Sequence, residues 1–192
     1  MNTDIFANNR FIIQRKMTDG EDTLEIMDAD MRHLCYVKHQ HSRKTPKELF
    51  IPIAGGMRVT DARLEEIDGS LLGEITEIPI DLMRATSKWL VYDEKGVFKG
   101  AVKEKPKFVG SDWVLESAEG DVVATIEGNR KKHNFEVLTA DRYKQVIARC
   151  FNISESSYEV EILLSVLSPF LVLSYVIVLN LVETGHVFTS YG

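Results

Sequence analysis

The chain has 192 residues, of which 44% are hydrophobic and 27% are charged, and its formal net charge is −6. This length and composition are typical of one folded domain and exclude an intrinsically disordered chain. The negative charge argues against sequence-independent binding of nucleic acid, so we expect no nucleic-acid partner.

The N-terminal residues and the cysteines bear on the cellular compartment. The first ten residues are polar and contain no apolar signal-peptide core, which predicts a cytoplasmic protein. Cys35 and Cys150 lie far apart and show neither CxxC nor metal-ligand spacing. They could pair as neighbours on adjacent strands. We interpret each of them as a small apolar residue in a reducing compartment.

Four segments share one pattern, in which alternating apolar residues flank a short polar turn. They are 23–37 (TLEIMDADMRHLCYV), 88–102 (KWLVYDEKGVFKGAV), 112–126 (DWVLESAEGDVVATI) and 134–148 (NFEVLTADRYKQVIA). Period-two alternation predicts strands with one apolar face, and polar breaks containing Asp or Gly are typical of hairpins. Further tight turns are predicted at Asp19-Gly20, Gly55-Gly56 and Asp68-Gly69. Counting all segments gives about twelve antiparallel strands that close into a barrel or fold into a sandwich.

The polar segment 40–48 contains Pro46 and predicts a loop. His39 and His41 would share one strand face, as a pair of metal ligands can, but no third ligand stands at a suitable spacing. We therefore interpret them as solvated residues at a strand end. Trp89 and Trp113 occupy equivalent places in successive hairpins, which favours core packing over base stacking.

The C-terminal part is uncharged over residues 162–182, a length that a transmembrane helix would also have. Ser168 and Pro169 form an N-cap and first-turn pair, and Gly185 offers a C-cap. The helix then has about 15 residues and a length of about 22 Å, too short for about 30 Å of hydrocarbon. We expect a helix that the barrel surrounds on every side.

The hairpins WLVYDEKGVFKGAV, WVLESAEGDVVATIEGN and FEVLTADRYKQVIAR, followed by SYEVEI and the apolar helix, resemble the Tubby C-terminal-like superfamily. The chain is most similar to the LURP-one-related proteins, with phospholipid scramblases as relatives. The resemblance covers about residues 11–182 and implies a mainly β fold, a twelve-stranded antiparallel closed barrel around a central hydrophobic C-terminal α-helix. It implies one domain over residues 1–192, with the barrel over 11–162 and the buried helix over 168–183.

The chain departs from its scramblase relatives in two respects. It has no cysteine cluster for acylation, and SESSYEVE lacks the aspartate spacing of a calcium loop. The basic residues through which Tubby relatives bind phosphoinositides have no counterparts that can be matched one by one.

No catalytic motif is present. The sequence contains no phosphate-binding glycine loop, nucleophile elbow, HExxH or zinc spacing, and we expect neither enzymatic activity nor a cofactor. Asp28, Asp30, Asp93 and Glu94 fall in predicted turns, where turn chemistry explains aspartate and glutamate without an acid–base role.

Two basic clusters are the candidate ligand-binding residues. The first comprises Lys99, Lys103, Lys105 and Lys107, and the second comprises Arg130, Lys131 and Lys132 at a predicted hairpin connection. Residues 103, 105 and 107 point the same way if their segment is extended. Both clusters could bind an anionic headgroup or membrane surface. The alternative is that they are a solvated strand edge and an exposed loop, where lysine also discourages aggregation.

Three functions remain open on this sequence. The first is a non-catalytic module that binds anionic phospholipid headgroups or a membrane surface, as a peripheral protein. The second is a protein-interaction or regulatory scaffold without lipid affinity. The third is a scramblase-like membrane-associated protein that uses the terminal apolar segment.

Overall fold

A computed structural model describes residues 5–18, 21–44, 57–81, 86–106, 111–129, 134–154 and 156–183. A short 3-10 helix, Ile5–Ala7, precedes twelve strands, and one α-helix, α1 (Pro169–Glu183), follows them. The strands are β1 (Arg10–Thr18), β2 (Glu21–Asp28), β3 (His33–Lys44), β4 (Met57–Glu65), β5 (Leu71–Asp81), β6 (Thr86–Asp93), β7 (Phe98–Pro106), β8 (Ser111–Ser117), β9 (Val122–Asn129), β10 (Asn134–Thr139), β11 (Val146–Ser154) and β12 (Ser157–Ile162).

Every strand pairs antiparallel with its neighbour in the sequence, and β1 pairs with β12 to close the barrel. Closure leaves the sheet, as far as the structure describes it, without an edge strand. The predicted fold class, a closed twelve-stranded antiparallel barrel with one C-terminal helix, is confirmed.

The turns after β2, β4, β6, β8 and β10 lie at one end of the barrel, because successive strands run in opposite directions. We call this the hairpin end, and its turns are residues 29–32, 66–70, 94–97, 118–121 and 140–145. β12 finishes at the same end, where the amide of Leu163 donates to the carbonyl of Ile147 at 2.8 Å. Residues 163–168 therefore lead the chain into the barrel from the hairpin end, and α1 runs toward the opposite end.

The helix is buried on every side. It begins at Pro169 directly after Ser168, as predicted, and its residues 170–181 are all buried. The ring of Tyr175 meets Trp113 at 5.7 Å and Phe135 at 5.1 Å between centroids, both edge-on. A helix without a polar face is stable here because the inner faces of the strands cover it. Within the described ranges, no helix is both long and apolar enough to cross a bilayer.

The two tryptophans pack in the core, as predicted. Trp89 and Trp113 are buried, and their rings stack with centroids 5.3 Å apart. Their strands, β6 and β8, are not paired but flank β7, so side chains from alternate strands meet inside the barrel.

The predicted loop over 40–48 is wrong for its first five residues. β3 continues to Lys44, and residues 40–44 pair with β4 from Gln40 opposite Asp61 to Lys44 opposite Met57. Pairing with β4 supplies the backbone hydrogen bonds of this polar segment, and this tertiary context outweighs its low β propensity. The turn at Asp68-Gly69 is confirmed, whereas Asp19-Gly20, Gly55-Gly56 and Gly185 lie outside the described residues.

The cysteines do not meet. Cys35 on β3 and Cys150 on β11 are separated in the sheet by β2, β1 and β12, and both thiols are free and buried. Burial raises the pKa of each thiol to about 12. The interpretation as small apolar core residues is consistent with these positions.

Candidate anion-binding face

Three strands place charged side chains on the outside of the barrel. Trp89 and Val102 point into the core, so alternation puts their neighbours Lys88 on β6 and Lys103 on β7 outside. These two lysines stand directly opposite each other in the β6–β7 register. Like charges at facing positions destabilise a sheet unless an opposite charge lies between them.

Glu116 of β8 supplies that charge. Its Oε2 accepts a hydrogen bond from Lys88 Nζ at 2.6 Å, and its Oε1 accepts one from Lys103 Nζ at 3.0 Å. The side chain of Glu116 is 7% exposed, against 26% for Lys88 and 31% for Lys103. Two partly exposed ammonium groups therefore cover one buried carboxylate.

The carboxylate of Glu116 is held ionised. Burial raises the pKa of Glu116, but the hydrogen bonds from Lys88 and Lys103 and their positive charges together lower it further, so the net shift is downward. The three groups consequently carry a net charge of +1 at neutral pH. Each ammonium has three N–H donors, and one donor from each contacts Glu116.

Lys105 extends this surface toward the end opposite the hairpin end. It lies on β7 two residues beyond Lys103, on the same outer face, and its side chain is exposed. Asp112 of β8 stands opposite Lys105 in the register. We call Lys88, Lys103, Lys105 and Glu116 the lysine face.

Lys99 does not belong to the lysine face. It is near the hairpin end of β7, about 13 Å along the strand from Lys103 at about 3.3 Å per residue. Its Nζ lies 2.8 Å from Oδ2 of Asp93, and this bond is the largest cause of the lowered pKa of Asp93. Asp93 also accepts the amides of Lys95 and Val97, so Lys99 completes a turn.

The other four predicted ligand residues, Lys107, Arg130, Lys131 and Lys132, lie outside the described residues. The strand ends that flank them, Pro106, Ser111, Asn129 and Asn134, all lie at the end of the barrel opposite the hairpin end. Lys105 is the described lysine nearest to that end on β7.

Sequence reasoning missed Lys88 and Glu116. Lys88 has a local signal, because it precedes Trp89 in an alternating strand and must face outward. Glu116 has none, because its contact with Lys88 spans 28 residues and two strand pairings. The register of β6, β7 and β8 alone brings the three groups together.

The two histidines considered as metal ligands, His39 and His41, both lie on β3. His39 lies inside β3 opposite Ala62 and is half-buried, so the expected position at a strand end is wrong. His41 belongs to the same strand, but its side chain lies outside the described part. In the described ranges no group of three or more His, Cys, Asp or Glu side chains is arranged to hold a metal ion.

Asp28 and Asp93 have the turn role that their positions predict. Asp28 accepts the amides of Asp30 and Arg32 at 2.9 and 3.0 Å, and Asp93 accepts two turn amides in the same way. These bonds lower the pKa of both carboxyl groups and stabilise the turns.

Comparison with known proteins shows the fold. No family model and no curated protein matches the sequence. A solved structure of an Arabidopsis thaliana protein, AT5G01750, superposes with a TM-score of 0.54 and 14% sequence identity. The match covers 91% of this chain and 91% of that one. At this level of identity the likeness shows the fold alone, a closed antiparallel barrel.

Proposed function

We propose that this protein is a non-catalytic binding module that holds an anionic phospholipid headgroup, or an anionic membrane surface, on the lysine face. The observation that supports the proposal is the fixed pair Lys88 and Lys103 above the buried carboxylate of Glu116. A buried acid orders the two ammonium groups before any ligand arrives. Such preorganisation lowers the entropic cost of binding.

The charge balance of the lysine face favours a phosphate. Glu116 offsets one of the three lysines and Asp112, opposite Lys105, offsets a second, which leaves a net charge of +1. The partly exposed ammonium groups keep N–H donors for a second acceptor, and phosphate oxygens accept several hydrogen bonds at once. A basic residue near an anionic membrane surface contributes about 1 kcal/mol, so binding through this face is expected to be salt-sensitive.

Sedimentation with vesicles tests the proposal. The full chain is mixed with vesicles of phosphatidylcholine alone, or of phosphatidylcholine with phosphatidylserine, at low and at physiological ionic strength. We expect binding to the anionic vesicles that weakens as salt is added. Lys105→Glu changes the charge by two units, about 2 kcal/mol at the surface, and should weaken binding by about 30-fold.

Lys38→Glu is the matched control. Lys38 is also an exposed lysine on the outside of a strand, β3, where it lies 2.6 Å from Glu65. Lys38→Glu therefore changes the net charge by the same two units as Lys105→Glu, but at a position away from the lysine face. Equal loss of binding in Lys38→Glu and Lys105→Glu, or no binding of the unaltered protein to anionic vesicles, would contradict the proposal.

A further inference from the structure

Four turns of the hairpin end are copies of one another. In each, the first residue donates its amide to the carbonyl four residues later, and the residue three positions on donates back to the first carbonyl. The first residues are Asp28, Glu66, Asp93 and Ser117, and all eight hydrogen bonds measure 2.8–3.0 Å. The four turns can therefore be compared position by position.

The fourth position of this turn requires a positive φ. Three turns have glycine there, Gly69, Gly96 and Gly120, with φ between 73° and 91°. The remaining turn, which begins at Asp28, has Met31 at this position with φ 62°. A methionine in this region is strained, because its Cβ crowds the following carbonyl, whereas glycine has no such cost. The strain indicates that the methionine side chain has a use that glycine would not serve.

Met31 is exposed, and so are large apolar residues on the neighbouring turns. Met31 is 55% exposed, Ile67 in the next turn is 66% exposed, and Val97 in the one after is 51% exposed. We call these three residues the apolar tips. Tyr143 and Val166 are also exposed at the hairpin end, at 66% and 61%. Turns ordinarily have polar residues at such positions.

The tips follow one side of the barrel rim. They belong to three successive hairpins, and each hairpin spans two strands that lie about 4.8 Å apart, so they extend over about 20 Å measured along the rim. A helix of about 13 residues has this length at 1.5 Å per residue.

The charge around the tips is acidic. The five turns of the hairpin end contain seven acidic and four basic residues, a net charge of −3. The basic residues are engaged locally: Arg32 with Asp28 and Asp30, Lys95 with Glu94, and Lys144 with Glu127. The guanidinium of Arg142 lies 4.6 Å from the centre of the Tyr143 ring. An anionic membrane would be repelled by this end, whereas a basic polypeptide would be attracted.

We propose that the hairpin end docks an amphipathic basic helix of a partner protein, with the apolar face of that helix on Met31, Ile67 and Val97. Lysine or arginine side chains beside that face meet the turn carboxylates. This surface is separate from the lysine face, and it provides binding of a different chemical kind.

A synthetic probe tests this surface. The probe is a fluorescein-labelled helical peptide of leucine and lysine with leucine on one face, and the comparison peptide has glutamate in place of lysine. Fluorescence anisotropy with the full chain at physiological ionic strength should show binding of the lysine peptide only. In Ile67→Ser with Val97→Ser, the Kd should rise at least tenfold.

Met31→Gly separates docking from folding. It removes one tip and also the backbone strain, so it should weaken peptide binding while raising Tm by about 2–4 °C. Phe151→Ser is the matched control, because Phe151 is 43% exposed on β11, outside the hairpin end. This control should bind the peptide as the unaltered protein does.

Four outcomes would overturn the proposal. The first is equal binding of the lysine and glutamate peptides, and the second is full binding by the tip variants, which would show attraction by charge alone. The third is tip-dependent binding of phosphatidylcholine vesicles in place of the peptide, which would assign the tips to a membrane. The fourth is a concentration-dependent dimer that the tip variants dissociate, which would assign them to a second copy of this chain.

Discussion

The ring of Phe170, at the start of α1, occupies the space where a side chain on Gly73 of β5 would lie. A Cβ built on Gly73 meets this ring and also lies 2.8 Å from the carbonyl oxygen of Tyr92. The Phe170 ring also packs on Phe6, with centroids 4.9 Å apart. The helix is thus fixed at the hairpin end between the barrel wall and the N-terminal 3-10 helix.

Gly73→Ala should therefore destabilise the protein by about 1–3 kcal/mol, because the added methyl group overpacks the contact between the strand and the helix. Chemical denaturation measures the change. Combining Gly73→Ala with Phe170→Leu should cost less than the sum of the two single changes. Strict additivity would show that the helix does not press on β5 at this point.

The opposite half of α1 is attached by a buried polar contact. Asn180 donates its side-chain amide to the phenolic oxygen of Tyr158 on β12, and both residues are buried. Tyr158→Phe removes this acceptor and should lower the free energy of unfolding by about 1–3 kcal/mol. Tyr158→Phe with Asn180→Leu should restore part of the loss, since both polar partners are then gone. The absence of coupling in this double-mutant cycle would contradict the contact.

The lysine face predicts a dependence of stability on pH. The pKa of Glu116 in the folded protein lies below its ordinary value of 4.5, despite the opposing effect of burial. The ionised carboxylate thus stabilises the fold above the unfolded pKa, and this contribution is lost as the pH falls through the lowered folded pKa. Glu116→Gln should cost about 1–3 kcal/mol at neutral pH, and the difference from the unaltered protein should shrink in acid.

Glu136→Gln is the control for that experiment. Glu136 also pairs with a basic residue, Arg149 at 2.9 Å, but both side chains are more than 40% exposed. Its removal should change the free energy of unfolding by less than about 1 kcal/mol at neutral pH. If Glu116→Gln costs no more than Glu136→Gln, then Lys88 and Lys103 are not held by the buried carboxylate.

The two cysteines should be unreactive in the folded protein. Cys35 and Cys150 are buried, and burial raises the pKa of each thiol to about 12, so almost no thiolate forms near neutral pH. Iodoacetamide should modify neither thiol until denaturant unfolds the chain, and mass spectrometry would then find both modified. Rapid modification of either cysteine under native conditions would show that the barrel wall opens there.

Much of the local structure follows from the sequence. The alternation around Trp89 and Trp113 predicts strands and their inward faces, and the glycines at 69, 96 and 120 stand in turns of matching geometry. Ser168 and Pro169 predict where α1 begins. These features depend on residues close together in the chain, where side-chain period and backbone preference act directly.

Tertiary pairing decided the rest. Residues 40–44 look like a loop and form a strand, because β4 supplies their hydrogen-bond partners. Lys99 looks like a member of the lysine cluster and instead joins the turn carboxylate of Asp93. Lys88, Lys103 and Glu116 meet only through the register of three strands, which no spacing in the sequence specifies. The sequence by itself determined most of the strands and turns and the start of the helix. The pairing register of the strands decided which charges became neighbours, because cross-strand contacts depend on register and not on distance along the chain.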